Sequence, residues 1–325
     1  MACFALLFAA FLPTDAAAQI HQVKEMNTEQ IRALPRDKTA VLLPGGILEQ
    51  HGPYLPSYTD GYQNESVTEH LAKAIVKRPG WHVLVFPVIP LGQGGANEIG
   101  DKHFFPGTYD VRASILRAIF MDLADDLGQQ KFRCIFVVDT HGSPQHNEAL
   151  DQAGDYFHDS YGGQMVNLLG SVEHYGETLL AMMTPKQREE EGFSVHADAV
   201  ETSVLLHLRR DLVGPIKHAP PQTVTNSSQM VELARSDNWP GYFGSPRVAN
   251  AALGKKAWKI YCGNVVERAL HILDGQDPRQ FPRYADKCRK TMPPAFWQAQ
   301  QEVEDAAERQ QVEWLKRTTK QETKP

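Results

Sequence analysis

The chain reads as an α/β protein: three layers, α/β/α, around a mainly parallel sheet. Three observations carry this. Four short apolar runs stand out as buried strands: TAVLLP (39–44), WHVLVFPVI (81–89), RCIFVVD (133–139) and QMVNLLG (164–170). Stretches with helical spacing of apolar residues separate them, over 65–77, 111–128 and from Asn147 to Tyr156. In 111–128 the stripe is Ile115, Leu116, Ile119, Phe120 and Leu123. Strands alternating with helices in this way build parallel sheets covered on both faces. Finally, residues of metal-ligating type lie just past two of the runs, Glu49 and His51 after 39–44 and His141 after 133–138. That is where such folds bind their ligands.

The remaining elements follow in order. NTEQIRALP (27–35) predicts a short helix capped by Asn27 or Thr28. ETSVLLHL (201–208) predicts an apolar helix, 248–274 a long helical stretch, and 295–316 a highly charged one. Residues 215–247, rich in Pro, Gly, Ser and Asn, read as a long irregular segment. The first eighteen residues carry an apolar stretch, a Pro break and Ala16-Ala17-Ala18, as a secretory signal peptide does, although no positive charge precedes the stretch. The expected organisation is a signal peptide over 1–18, a single catalytic domain over 19–290 and a charged helical tail over 291–325. Export to the periplasm or the cell exterior follows, with a cytoplasmic protein as the alternative.

A hydrophobic content of 42% and a charged content of 22% mark a folded chain of 325 residues. The net charge of −6 offers nucleic acid no basic footprint, and no run of Lys or Arg suits a membrane surface. Of the four cysteines, Cys3 falls in the signal and Cys134 in a buried strand, leaving Cys262 and Cys288 as a candidate pair. No CxxC spacing supports a thiolate zinc site.

Three segments carry chemistry. In LLPGGILEQHGPYLPSYTDG, Glu49 and His51 are two apart and project to one side of an extended segment; Asp60 follows nine later. Carboxylate, imidazole and carboxylate suit zinc, manganese or iron. The plainer alternative makes them loop carboxylates and a satisfied histidine. In VVDTHGSPQHN, His141 is the better ligand candidate; His146 fits a structural or supporting role, and Asp139 can orient a ligand. In SVHADAVETS, His196 and Glu201 are five apart and meet in one cleft only if a turn separates them. Otherwise Glu201 is a first-turn helix carboxylate and His196 a loop histidine. No G-x-S-x-G element supports a serine hydrolase.

The pieces GGILEQHGPYLPSYTDG, FPGTYDV, DTHGSPQHNEAL, HADAVETS and GYFGSPRVANAALGKKA occur in the order of the creatininase (creatinine amidohydrolase) family, and the chain resembles it over roughly residues 36 to 275. The resemblance implies a creatininase-like fold and two divalent metal ions. Glu49, Asp60 and His141 would hold one; His51, a bridging Asp60 and Glu201 the other; His196 would be catalytic. It implies hydrolysis of a C–N bond in a small, cyclic or otherwise compact amide by metal-activated water, and a homo-oligomer, often a hexamer. His103, Ser143 and Trp239 are candidates for substrate contact, Trp239 either in a mobile flap or packed on the core. The sequence departs from the family pattern at Tyr54, where a second histidine is usual, at Ser143, where creatininases proper carry glutamate, and at Asp198, where glycine is usual. These departures weigh against creatinine itself. Deformylation, peptide trimming and keto-inositol hydrolysis fit the same metal set, as does a metal- or ligand-binding protein without catalysis.

Overall fold

The computed structural model describes residues 19–292 and 294–322; the expected signal peptide over 1–18, Cys3 within it, lies outside them. Five strands form one sheet: β1 (Ile20–Gln22), β2 (Thr39–Pro44), β3 (His82–Val85), β4 (Cys134–Val138) and β5 (Gln164–Asn167), in the order β1-β3-β2-β4-β5. Every pairing is parallel; β2 runs beside β4 from Ala40 opposite Cys134 to Pro44 opposite Val138.

Successive residues of a strand face opposite ways, and here each face has its own core. Ala40, Leu42, Val83, Val85, Phe136 and Val138 pack beneath α2 (Thr59–Ile75), α5 (Tyr175–Met182), α7 (Ala199–Leu208) and α9 (Ala251–Leu273). Val41, Leu43, Leu84, Ile135, Val137 and Met165 pack beneath α3 (Ala113–Gln129) and α4 (Pro144–Tyr161). Because strands buried on both sides favour apolar residues on either face, β2 is apolar from Ala40 to Pro44 and buried throughout. The result is the expected three-layer arrangement.

Four short helices, α1 (Thr28–Arg32), capped by Asn27, α6 (Pro185–Glu191), α8 (Ser227–Arg235) and α10 (Tyr284–Thr291), and the long tail helix α11 (Pro294–Glu322) complete the described chain. The Glu304 carboxylate on α11 accepts a hydrogen bond from the Ala113 amide at 2.7 Å, fastening the tail helix to the start of α3. Residues 215–247 are not wholly irregular: α8 lies within them and buries Met230 and Ala234. Cys134, Cys262 and Cys288 are all free thiols, so the candidate pair is not joined. No described helix is long and apolar enough to cross a membrane.

The crossover from β2 leaves through α2 on one face, and those flanking β4 run through α3 and α4 on the other. The chain ends of β2 and β4, held together by the Gly45 amide donating to the Val138 carbonyl at 2.9 Å, therefore meet at the reversal point of the sheet, the place where folds of this kind bind their ligands.

Candidate metal centre

The loop leaving β2 brings Glu49 and His51 to this point, buried, and the first turn of α2 brings Asp60. The helix begins six residues before the expected start at Glu65, so Asp60 is not a loop residue. It sits where unsatisfied helix amides favour a carboxylate. His141 enters from the end of β4. Glu201 enters from the first turn of α7, positioned by Asp198, whose side chain caps the helix by accepting from the Val200 and Glu201 amides at 2.9 Å. The turn that sequence spacing required between His196 and Glu201 is present: Ala197 takes φ 48° and donates its amide to Glu201 Oε2 at 2.5 Å.

Two overlapping ligand sets result. Glu49, Asp60 and His141 converge in one; His51, Asp60 and Glu201 in the other; in each, potential ligand atoms lie within 4.8 Å of one another. His141 Nδ1 stands 3.2 Å from Glu49 Oε2 and 3.3 Å from Asp60 Oδ2. His51 Nε2 stands 3.6 Å from Asp60 Oδ1 and 3.7 Å from Glu201 Oε2. Asp60 is the shared member. His51 Nε2 and Asp60 Oδ2 are buried without hydrogen-bond partners. Buried polar atoms are rarely left so, and a divalent cation with oxygen and nitrogen ligands satisfies both. The residues fit the metals.

Hydrogen bonds set the tautomers. Each histidine faces a main-chain carbonyl, which can only accept, so the nitrogen beside it carries the proton. His141 Nε2–H donates to Gln93 O at 3.0 Å and His51 Nδ1–H to Glu49 O at 3.0 Å. The remaining nitrogens, His141 Nδ1 and His51 Nε2, face the carboxylates and are the ones left free to ligate once each ring is neutral, as metal-binding imidazoles require. Glu49 is aimed by the Ala96 amide, which donates to its Oε1 at 2.5 Å.

His196 lies against the same cluster. Its ring centroid is 4.4 Å from that of His51, and Nδ1 is 3.5 Å from Glu49 Oε1. With Glu49 and His51 it forms a third potential ligand set. Nε2 is 2.7 Å from Gln50 O, and the Gln50 side-chain amide also approaches it at 3.2 Å. The nearer carbonyl sets Nε2 as the protonated nitrogen. Burial keeps the His196 pKa below its ordinary value. For His51 and His141 burial acts the same way but is outweighed: Glu201 and Asp60 hold His51, and Glu49 and Asp60 hold His141, well above 6.5. Burial would raise Glu49, yet His196 and His141 bring it down to about 2; Asp60 is lowered further by His141 and His51.

The other candidates lie elsewhere in the network. Ser143 is buried and donates to Gln93 Oε1 at 2.9 Å. His146 joins no ligand set; it bonds Asp139 and the Gln93 amide. His103 also joins none, and its Nδ1 is buried without a partner. Trp239 is buried, as its core-packed alternative has it. Its indole N–H donates to Tyr242 O at 2.9 Å, and its ring sits against Phe105 and Phe243. Tyr54 stacks edge-on against Tyr242. Sequence reasoning missed Gln93, Ala96 and Ala197, which act through the main chain. For Ala197 a signal was available in Asp198, three residues ahead of Glu201 before an apolar run, a spacing typical of helix starts.

Comparison with known proteins agrees with the resemblance. The creatinine amidohydrolase (creatininase) family model matches residues 24–269. The mycofactocin precursor peptide peptidase of Mycobacterium ulcerans (strain Agy99) is 24% identical over 269 residues, 78% of this chain and 93% of that protein. A crystal structure of creatinine amidohydrolase (creatininase) aligns with a TM-score of 0.58 at 22% identity, covering 78% of this chain and 98% of that one. A structure described as creatininase Mn aligns at 0.53 and 21% identity, covering 84% and 99%. With more than half of its length matched by the family model, and with the fold shared, the chain belongs to the creatininase family of hydrolases.

Proposed function

We propose that the protein is a metal-dependent hydrolase of C–N amide bonds, working with two divalent ions held by the two sets that share Asp60. The observation that carries this is the pair of buried, unpartnered ligand atoms, His51 Nε2 and Asp60 Oδ2, at the junction of the two sets. Divalent ions at such a site lower the pKa of water and polarise a carbonyl. The chain supplies the rest. Glu49, Asp60 and Glu201 provide negative charge for the ions, and the carbonyls of Gln93 and Glu49 hold the two ligand imidazoles in their binding tautomers. His196, kept neutral by burial, presents a bare Nδ1 to the centre. It would take up there the proton that the attacking water gives up and pass it to the leaving nitrogen.

The compact-amide reading competes with peptide cleavage. The second is favoured by the relative of Mycobacterium ulcerans, whose name is that of a peptide peptidase, and by Ser143 at the position where creatininases proper carry glutamate. A panel of cyclic amides and short peptides, run on metal-loaded and chelated protein, separates them. Hydrolysis that persists undiminished after chelation would sink the metal-dependent reading. His196→Ala is expected to keep its metal and lose about 10²–10⁴-fold in kcat; loss of metal instead would make His196 a ligand.

A further inference from the structure

We propose that His146 is a positioning residue for the metal centre, acting through the main chain of Gln93. This rests on the reading of Glu49, Asp60 and His141 as metal ligands. The Gln93 amide donates to His146 Nδ1 at 3.2 Å, so that nitrogen is bare and Nε2 carries the proton, donating to Asp139 Oδ2 at 2.9 Å. Asp139 Oδ1 in turn accepts from the His141 amide at 2.9 Å, and His141 Nε2–H returns to Gln93 O at 3.0 Å. The four residues close a ring. His146 grips one side of the Gln93 peptide segment, and the ligand His141 uses the other.

The segment that His146 grips serves two ligands of one set. Three residues beyond Gln93, the Ala96 amide holds Glu49 Oε1. Between them, Gly94 takes φ +82° and lies so close to Ser143 Oγ that a side chain there would collide with it. Ser143 also holds the Gln93 side chain. The strap 92–96 therefore has a fixed path, and its anchor on the α4 side is His146, 1% exposed, with His141 against it edge-on at 5.1 Å between ring centroids. Without the imidazole the Gln93 amide is a buried donor with no acceptor, which costs enough to move a loop. A shift of Gln93 O releases the His141 tautomer, and a shift of Ala96 turns Glu49.

Zinc affinity of the full chain, measured by competition with a chromophoric chelator, tests this alongside the thermal midpoint of the metal-free protein. His146→Ala is expected to weaken zinc binding by about 10–100-fold. His146→Asn, whose side-chain oxygen can still accept from the Gln93 amide, should stay within about threefold of wild type, a rescue that simple core packing would not produce. His146→Gln, which reaches Asp139 but places no acceptor at the Nδ1 position, should bind more weakly than His146→Asn even if His146→Ala fails to fold. Wild-type affinity in His146→Ala, or Asn and Gln variants equal or reversed in order, overturns the proposal alone. A wild-type protein that takes up no zinc overturns the metal reading and this proposal with it.

Discussion

Loading the metal-free protein with zinc at pH 7 should release about two protons per chain from its ligand side chains, any excess coming from metal-bound water. Five side chains decide the number. Burial alone would keep His51 and His141 neutral, but the carboxylates around them win, and both imidazoles are held well above 6.5. Each is therefore an imidazolium before the metal arrives, standing between carboxylate oxygens 3.2 to 3.7 Å away. Only the neutral imidazole can ligate, so each gives up one proton. Glu49, brought down to about 2, and Asp60, lowered further, have none to release. His196, lowered by burial, is already neutral. Calorimetric titration in buffers of different ionisation enthalpy at one pH counts the protons directly. A count near zero would mean that burial, not the carboxylates, governs the two histidines, and would refute the reasoning.

The same shifts fix a sign. A raised histidine pKa stabilises the metal-free fold fully below about 6.5, and the contribution is lost as pH rises through the raised values. Metal affinity moves the opposite way, rising with pH over that window by up to about tenfold per unit for each proton displaced. Stability of the metal-free protein and its affinity for zinc should therefore trend in opposite directions above pH 7.

Other expectations are local. Asp60→Asn should lose metal from both ligand sets together, whereas Glu201→Gln should lose it from one; metal content per chain by mass spectrometry tells them apart. Glu191 is buried beside Asp198, and burial with that neighbour raises its pKa to about 9. Its contribution to stability is complete below about 4.5 and declines as pH rises toward about 9, so Glu191→Gln should flatten the thermal midpoint over that range; an unchanged slope would remove Glu191 as its source. Gly254→Ala would drive a methyl group into the Ser203 carbonyl where α9 crosses α7, at an expected cost of about 2–3 kcal/mol in urea unfolding.

Much of the fold was legible because burial on both faces of the sheet leaves the central strands almost wholly apolar, Thr39 at the start of β2 satisfying its hydroxyl on the Pro35 carbonyl. The expected run 39–44 is β2 to the residue. Elements went unread where that logic is missing. β1 has three residues, too few for any period to show, and is only half-buried. α8 lies in a segment whose Pro, Gly, Ser and Asn content resembles a loop; Met230 and Ala234, packed with Trp239 and Phe243, make it a helix. The glycine at 61 hid the true start of α2: it sits where a side chain would strike the Tyr58 ring, so a helix breaker by composition is a packing requirement in fact.

The candidate site divides along a sharper line. Its ligand side chains were readable because imidazoles and carboxylates carry their chemistry in their identity, and because both β2 and β4 end beside them. The groups that aim those side chains do so with peptide bonds. Gln93 orients His141 with a carbonyl, Ala96 orients Glu49 with an amide, and Ala197 orients Glu201 with another. Any residue with the right backbone path supplies the same atom, so residue type alone holds no record of the role. What is visible in the sequence is one step further out, in residues whose side chains fix that path: Gly94, which must take φ +82° against Ser143; Asp198, which caps α7; and His146, which accepts from Gln93. A metal centre built this way conceals its supports behind main chain. A histidine that touches no ligand atom of the carboxylates can then govern how tightly the metal is held, because it decides where a carbonyl lies.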